Sequence, residues 1–142
     1  MPLGIRLRRE HVQPMPPQLG ALFDRLNGAY FHGLCQAQIG WGRRTSPRRR
    51  SRRGMLLGSW SPSENRIRIH PALAADWVPL FVVEMVVFHE MLHEVFGCPQ
   101  RGARRVVHPP EFQAVEQSHP DYARAQAWEQ ANRPRLLRSR SG

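Results

Sequence analysis

Val86-Val87-Phe88-His89-Glu90-Met91-Leu92-His93-Glu94-Val95-Phe96 decides how this chain folds. Apolar residues flank a polar pentapeptide, and together with the run from Val78 they predict one buried helix. Residues four apart on a helix share a face, so the imidazoles of His89 and His93 can converge on one cation, with Glu90 one step round. Zn²⁺ takes imidazole nitrogen, holds three protein ligands in catalytic sites and keeps a position for water. Glu90 would be the base for that water's proton. The bland alternative is a polar stripe on a core helix. Against it, histidines and glutamates buried among apolar residues are costly unless paired or bound to metal. Glu94 fits this helix least well, and is expected either to face a solvent-filled cleft or to hold a ligand histidine from behind.

Upstream, after Pro14, Pro16 and Pro17, the residues Leu19, Leu22, Phe23, Leu26, Tyr30 and Phe31 recur at helical spacing and predict a first helix from Gln18 to His32, ended by Gly33. Ala37 to Trp41 reads as a short strand. Gly54 to Trp60 and Arg66 to His70 flank the turn formers Ser61-Pro62-Ser63-Glu64-Asn65, which is a hairpin signal. In its second arm Ile67 and Ile69 alternate toward a core. Asp76 is the expected cap of the central helix, with Pro79 in its first turn. Downstream, a polar connection from Pro99 to Val107 leads to His108-Pro109-Pro110 and a helix carrying Phe112, Val115 and Glu116. A last helix, Pro120 to Asn132, is expected to end before Pro134. The fold class is α+β: an N-terminal helix, a small and mostly antiparallel sheet with a hairpin, the histidine-bearing helix and C-terminal helices.

At 142 residues the chain forms one domain with a core able to stand unstapled. Two distant cysteines, Cys35 and Cys98, argue against a disulfide scaffold and a cysteine-based zinc site, and read as small buried thiols in a reducing cytoplasm. No apolar stretch in the first eighteen residues suits a signal peptide. The longest apolar run, Val78 to Phe88, is broken by Glu84 and falls short of the ~20 residues a membrane span needs. A cytoplasmic protein with no membrane partner is the expectation. The net charge of +10 is carried by arginine, with no lysine in the chain. Arg43, Arg44, Arg48, Arg49, Arg50, Arg52 and Arg53 fall in one acid-free stretch, which Pro47 and its serines predict to be a loop. Arg133, Arg135, Arg138 and Arg140 form a basic tail, expected to be disordered. Taking those eleven charges from +10 leaves about −1 for the remainder, so the basic character is appended to a near-neutral body.

Position alone leaves His108, Glu111, Glu116 and His119 as candidates for a third metal ligand, with His108 favoured by the rigid Pro-started helix beside it. Leu26-Asn27-Gly28-Ala29-Tyr30-Phe31 with Gly33-Leu34 and Ile39-Gly40-Trp41, Leu57-Gly58-Ser59-Trp60, Ile67-Arg68-Ile69, His89 to His93, and His108 with Phe112 together resemble the SprT-like family. This is a minimal zincin metallopeptidase domain related to Spartan and also similar to the YgjP-like metal-dependent hydrolases. The resemblance spans about Leu19 to Phe112. It departs from the family where Pro109 replaces a frequent glycine, and where no cysteine-rich ribbon follows Phe112. It implies one Zn²⁺ on His89, His93 and His108, with Glu90 as the catalytic residue. Together with the composition it gives a domain over residues 18–132, preceded by a flexible segment at 1–17, interrupted by the arginine loop at 43–53 and followed by the tail at 133–142.

These readings lead to a zinc metallopeptidase acting on a protein or peptide substrate. Arg66, Ile67, Arg68 and Ile69 form the candidate substrate strand, and Tyr122 or His119 is a candidate for meeting the oxyanion. The arginine stretch is the candidate contact to DNA, by sequence-independent phosphate neutralisation. It contains no aromatic residue to stack on bases. Two other classes stay open: a catalytically silent, metal-stabilised module that binds nucleic acid or protein, and a zinc hydrolase of non-peptide substrates. An intact Glu90 beside the metal ligands argues against the silent module.

Overall fold

In the computed structural model, which describes residues 16–43, 48–50, 54–101 and 104–138, the side chains of Leu19, Leu22, Phe23 and Leu26 are buried along one side of helix α1 (Leu19–Tyr30). This is the amphipathic spacing read from the sequence. The helix ends where His32 (φ 56°) and Gly33 (φ 72°) turn left-handed and the Gly33 N–H closes onto the Asn27 carbonyl. Asn27 then grips the returning chain: its Nδ2 donates to the Cys35 carbonyl at 2.9 Å, and its Oδ1 accepts from the Cys35 N–H at 3.0 Å. This clamp delivers the chain into strand β1 (Gln38–Trp41).

Two short strands follow, β2 (Arg48–Arg50) and β3 (Gly54–Leu56), paired antiparallel with Arg49 opposite Met55. The arginine loop is thus partly a hairpin, whose ladder satisfies the backbone groups of its two arms. Arg44, Arg52 and Arg53 lie outside the described residues. Strand β4 (Gly58–Ser61) then pairs antiparallel with β5 (Arg66–Ile69) through the turn at residues 62–65. The Trp60 indole N–H bonds Asn65 Oδ1 at 2.8 Å across this hairpin. Strand β5 also pairs parallel with β1, giving a three-stranded mixed sheet in the order β1-β5-β4. Ile67 and Ile69 of the central strand are fully buried, as the alternation required.

A 3₁₀ turn at Pro71–Ala74, capped by His70 Nδ1 on the Ala72 N–H, leads to helix α2 (Leu80–Phe96). Pro79, with extended backbone, is the N-cap residue in place of Asp76, which lies three residues further upstream and is exposed. The helix stops at Gly97 (φ 64°), whose N–H returns to the His93 carbonyl at 2.8 Å. Helix α2 packs on α1 and on the sheet, and carries the later helices on its remaining side. That is why it is apolar nearly all round. Glu84 sits at its margin, bonded by both oxygens to the Arg25 guanidinium of α1.

After α2, strands β6 (Gln100–Arg101) and β7 (Arg104–Arg105) form a small hairpin whose base is closed by Val106 N–H on the Pro99 carbonyl. The hairpin reverses the chain and returns it to α2. Helix α3 (Pro110–Ser118) begins at once, with Pro110 in its first turn. Its Phe112 is wholly buried, which contributes roughly 1.5–3 kcal/mol.

Helix α4 (Tyr122–Arg138) runs through Pro134 without ending there. The expected disordered tail is therefore helical at least to Arg138; residues 139–142 lie outside the described residues. Tertiary contacts account for the extension: Leu136 is fully buried, the Arg135 guanidinium lies 3.7 Å over the Trp77 ring, and Trp77 stacks on Trp128. These outweigh the hydrogen bond that proline removes. Of the expected flexible segment at 1–17, residues 1–15 also fall outside the described residues. Among the described residues, no helix is long and apolar enough to cross a membrane.

Candidate metal centre

His89 and His93 project from one face of α2, and the β6–β7 hairpin returns His108 to the same point. The ring nitrogens that these three residues offer lie within 4.8 Å of one another. His89 Nε2 and His108 Nε2 are 3.2 Å apart. Two nitrogens bound at ~2.0–2.1 Å on a tetrahedral Zn²⁺ sit about 3.3 Å apart, so the His89–His108 spacing suits such an ion. Phe112 backs the cluster, its ring centroid 4.8–5.0 Å from all three imidazoles, and prevents them from collapsing into the core.

The outer nitrogen of His89 fixes the tautomer. Its Nδ1–H donates to Glu116 Oε2 at 2.7 Å, leaving Nε2 unprotonated toward the cluster. Burial pulls the His89 pKa down, but the Glu116 hydrogen bond and the carboxylates of Glu90, Glu116 and Glu129 overcome it, and the net direction is upward. Such an environment favours a cation, whether proton or metal.

Glu90 is buried beside the histidines, and strand β4 runs close against it. A Cβ at Gly58 would fall 2.9 Å from Val86 Cγ1 and 3.1 Å from Glu90 Oε2. Only glycine lets β4 approach so closely, and the approach fixes where the Glu90 carboxylate stands. The Trp60 ring lies parallel to His93 at 6.4 Å and forms part of the same wall.

An open cleft of about 580 Å³ runs over this site. Its floor is α2, from Val82 to His93. One wall is β4, and the other is the Tyr122, Ala125, Gln126 and Glu129 face of α4. Burial and then Glu116 raise the Tyr122 pKa, so its hydroxyl stays protonated and can donate a hydrogen bond. Glu129 is also pushed up by burial, against the pull of Arg133 and His89.

Several expectations need correction. Arg66, Ile67, Arg68 and Ile69 are not a substrate edge: β5 is the middle strand, hydrogen-bonded on both sides, so no peptide can add to it. The cleft-side edge is β4. Glu94 neither faces the cleft nor holds a histidine; its carboxylate accepts the N–H groups of Gln36 and Ala37 and the Asn65 amide, locking α2 to the end of the sheet where β1 and β5 begin. His119 is buried against Tyr30 and Phe88, away from the cleft lining, and Glu111 is exposed. Cys35 is buried and its thiol is pushed up to about 12 by burial and by Glu94, whereas Cys98 is half-buried and lines the cleft. Arg43 is exposed.

Sequence reasoning weighed Glu116 only as a candidate metal ligand, not as the partner of His89, and missed Glu129 and Gly58. Glu116 was visible as the residue one turn beyond Phe112, hence on the same face. Glu129 was visible as an acid seven residues past Tyr122 on a packing stripe. Gly58 carried no local signal, since its need arises from a helix far along the chain. Comparison of the chain with models of known families, with curated proteins and with solved structures gave no match.

Proposed function

We propose that this chain is a zinc-dependent metallopeptidase of SprT-like type, with one Zn²⁺ held by His89, His93 and His108. The observation that carries the reading is the convergence of those three donors beside a buried Glu90 at the floor of an open cleft. Bound there, Zn²⁺ would acidify a water and polarise the scissile carbonyl. The chain's own residues do the rest. Glu90, braced by β4, takes the proton of the attacking water and returns it to the departing amine. Glu116 holds the His89 ring in register. The outer edge of β4, Gly58–Ser61, which is unpaired among the described residues, accepts the substrate backbone as an added strand, which stretches the peptide along the cleft. Tyr122 supplies a hydroxyl for the developing oxyanion.

Glu90→Gln keeps the shape of the side chain and removes the base. The zinc-loaded variant is expected to retain one metal ion and lose about 10²–10⁴-fold in peptide hydrolysis. Unchanged hydrolysis would remove Glu90 from the mechanism. A zinc-bound protein that hydrolyses no peptide but cleaves esters or other carbonyl substrates supports the non-peptide hydrolase. One that cleaves nothing and only gains stability from zinc supports the silent module.

The seven arginines between Arg43 and Arg53, with no acid among them, favour DNA as a second partner. Substrates would then be DNA-associated proteins. Binding of a DNA duplex should weaken steeply between 50 and 200 mM salt, as phosphate neutralisation requires. Affinity insensitive to salt would exclude it.

A further inference from the structure

The chain has 21 arginines, yet among the described residues that line the cleft there is none. Apart from the candidate ligand histidines, the ionisable side chains facing it include three glutamates: Glu90, Glu116 and Glu129. Glu90 serves as base and Glu116 is engaged by His89. Glu129 has no such task. Among the described residues its carboxylate makes no hydrogen bond and no ion pair; Arg133, one turn further along α4, and His89 act on it only through space. The cleft it lines presents Val82 and Met85 on the floor and Ala125 on the same wall, beside Tyr122, Gln126 and Glu116. A carboxylate kept in such surroundings without a partner is costly, and the cost is offset when a cation arrives.

We propose that Glu129 is a specificity-determining residue that docks a cationic group of the substrate, an ammonium or guanidinium whose apolar stem lies over Val82, Met85 and Ala125. A long stem with a charged head matches this sequence of surfaces. Two sources carry that chemistry: a lysine or arginine side chain within the peptide, or the free amino group at its start. The inference rests on the peptidase reading for its substrate class, and the test separates the two.

The probes are acetylated, amidated peptides that differ only in carrying lysine or norleucine at one position, together with their unacetylated forms. Dissociation constants are measured on zinc-loaded Glu90→Gln, which cannot turn the peptides over, and on Glu90→Gln with Glu129→Gln added. The inference expects lysine to bind about 10-fold or more tightly than norleucine in the first protein, and that advantage to vanish in the second while norleucine affinity is unchanged. If instead only a free amino terminus confers the Glu129-dependent gain, the cation is the terminal amine. Equal affinity for all the peptides, or a cationic preference that survives Glu129→Gln, overturns the inference. Hydrolysis of the same lysine peptide by the zinc-loaded natural sequence decides the peptidase reading on its own.

Discussion

Glu116 and Gly58 act on the site without belonging to the motif that announces it. Glu116 fixes the His89 tautomer through a 2.7 Å hydrogen bond. Glu116→Gln is therefore expected to weaken zinc binding about 10–100-fold at neutral pH, measured against a competing chelator, with the fold retained. The same carboxylate helps to hold the His89 pKa above its ordinary value. A raised pKa means that the metal-free imidazole keeps its proton to higher pH. Zinc affinity should then begin to fall, as pH is lowered, from above the ordinary histidine range of about 6.5. In Glu116→Gln that onset should move to lower pH, and an onset unmoved by the substitution would contradict the assignment. Gly58 makes a different demand, because a Cβ there meets Val86 and Glu90. Gly58→Ala is expected to leave zinc content intact and to reduce kcat by about 10²-fold, as displacement of a catalytic group does.

Among the elements, α2 was the most legible in the sequence and the sheet the least. Helix α2 carries its information locally: periodicity, a polar pentapeptide and a glycine stop lie within one stretch. Phe112 and His108 were legible for a related reason, since two prolines start α3 beside them. The strand that faces the cleft was not. Both arms of the β4–β5 hairpin were visible, but which arm is the edge depends on where β1 docks, and β1 lies some 28 residues from its partner. Pairing of that kind leaves no mark on either strand alone. Helix α4 exposes the same limit from the other side, for Pro134 signalled an end and burial of Leu136 overruled it. Leu136→Ala should destabilise the protein by about 2–5 kcal/mol in urea unfolding. A loss of a few tenths would mean that the last turns of α4 are only loosely attached.

Over the whole molecule, charge is divided by place. The net charge is +10, while the described residues that line the cleft include three glutamates and no arginine. Such a division suits a protein whose surface is drawn to polyanions and whose interior site is drawn to cations, the metal first among them. It also separates two kinds of salt dependence. Binding of DNA to the arginine stretch should be strongly screened, and zinc held by three imidazoles should not. The metal is the element on which the account depends. Its most direct test is hydrolysis of an unstructured protein by the chain loaded with one equivalent of zinc, assayed before chelation, after removal of the metal and after zinc is returned. The account predicts activity that disappears with the metal and is restored at one zinc per chain. Activity that persists in metal-free protein, or its absence in protein shown to carry one zinc on His89, His93 and His108, would contradict it.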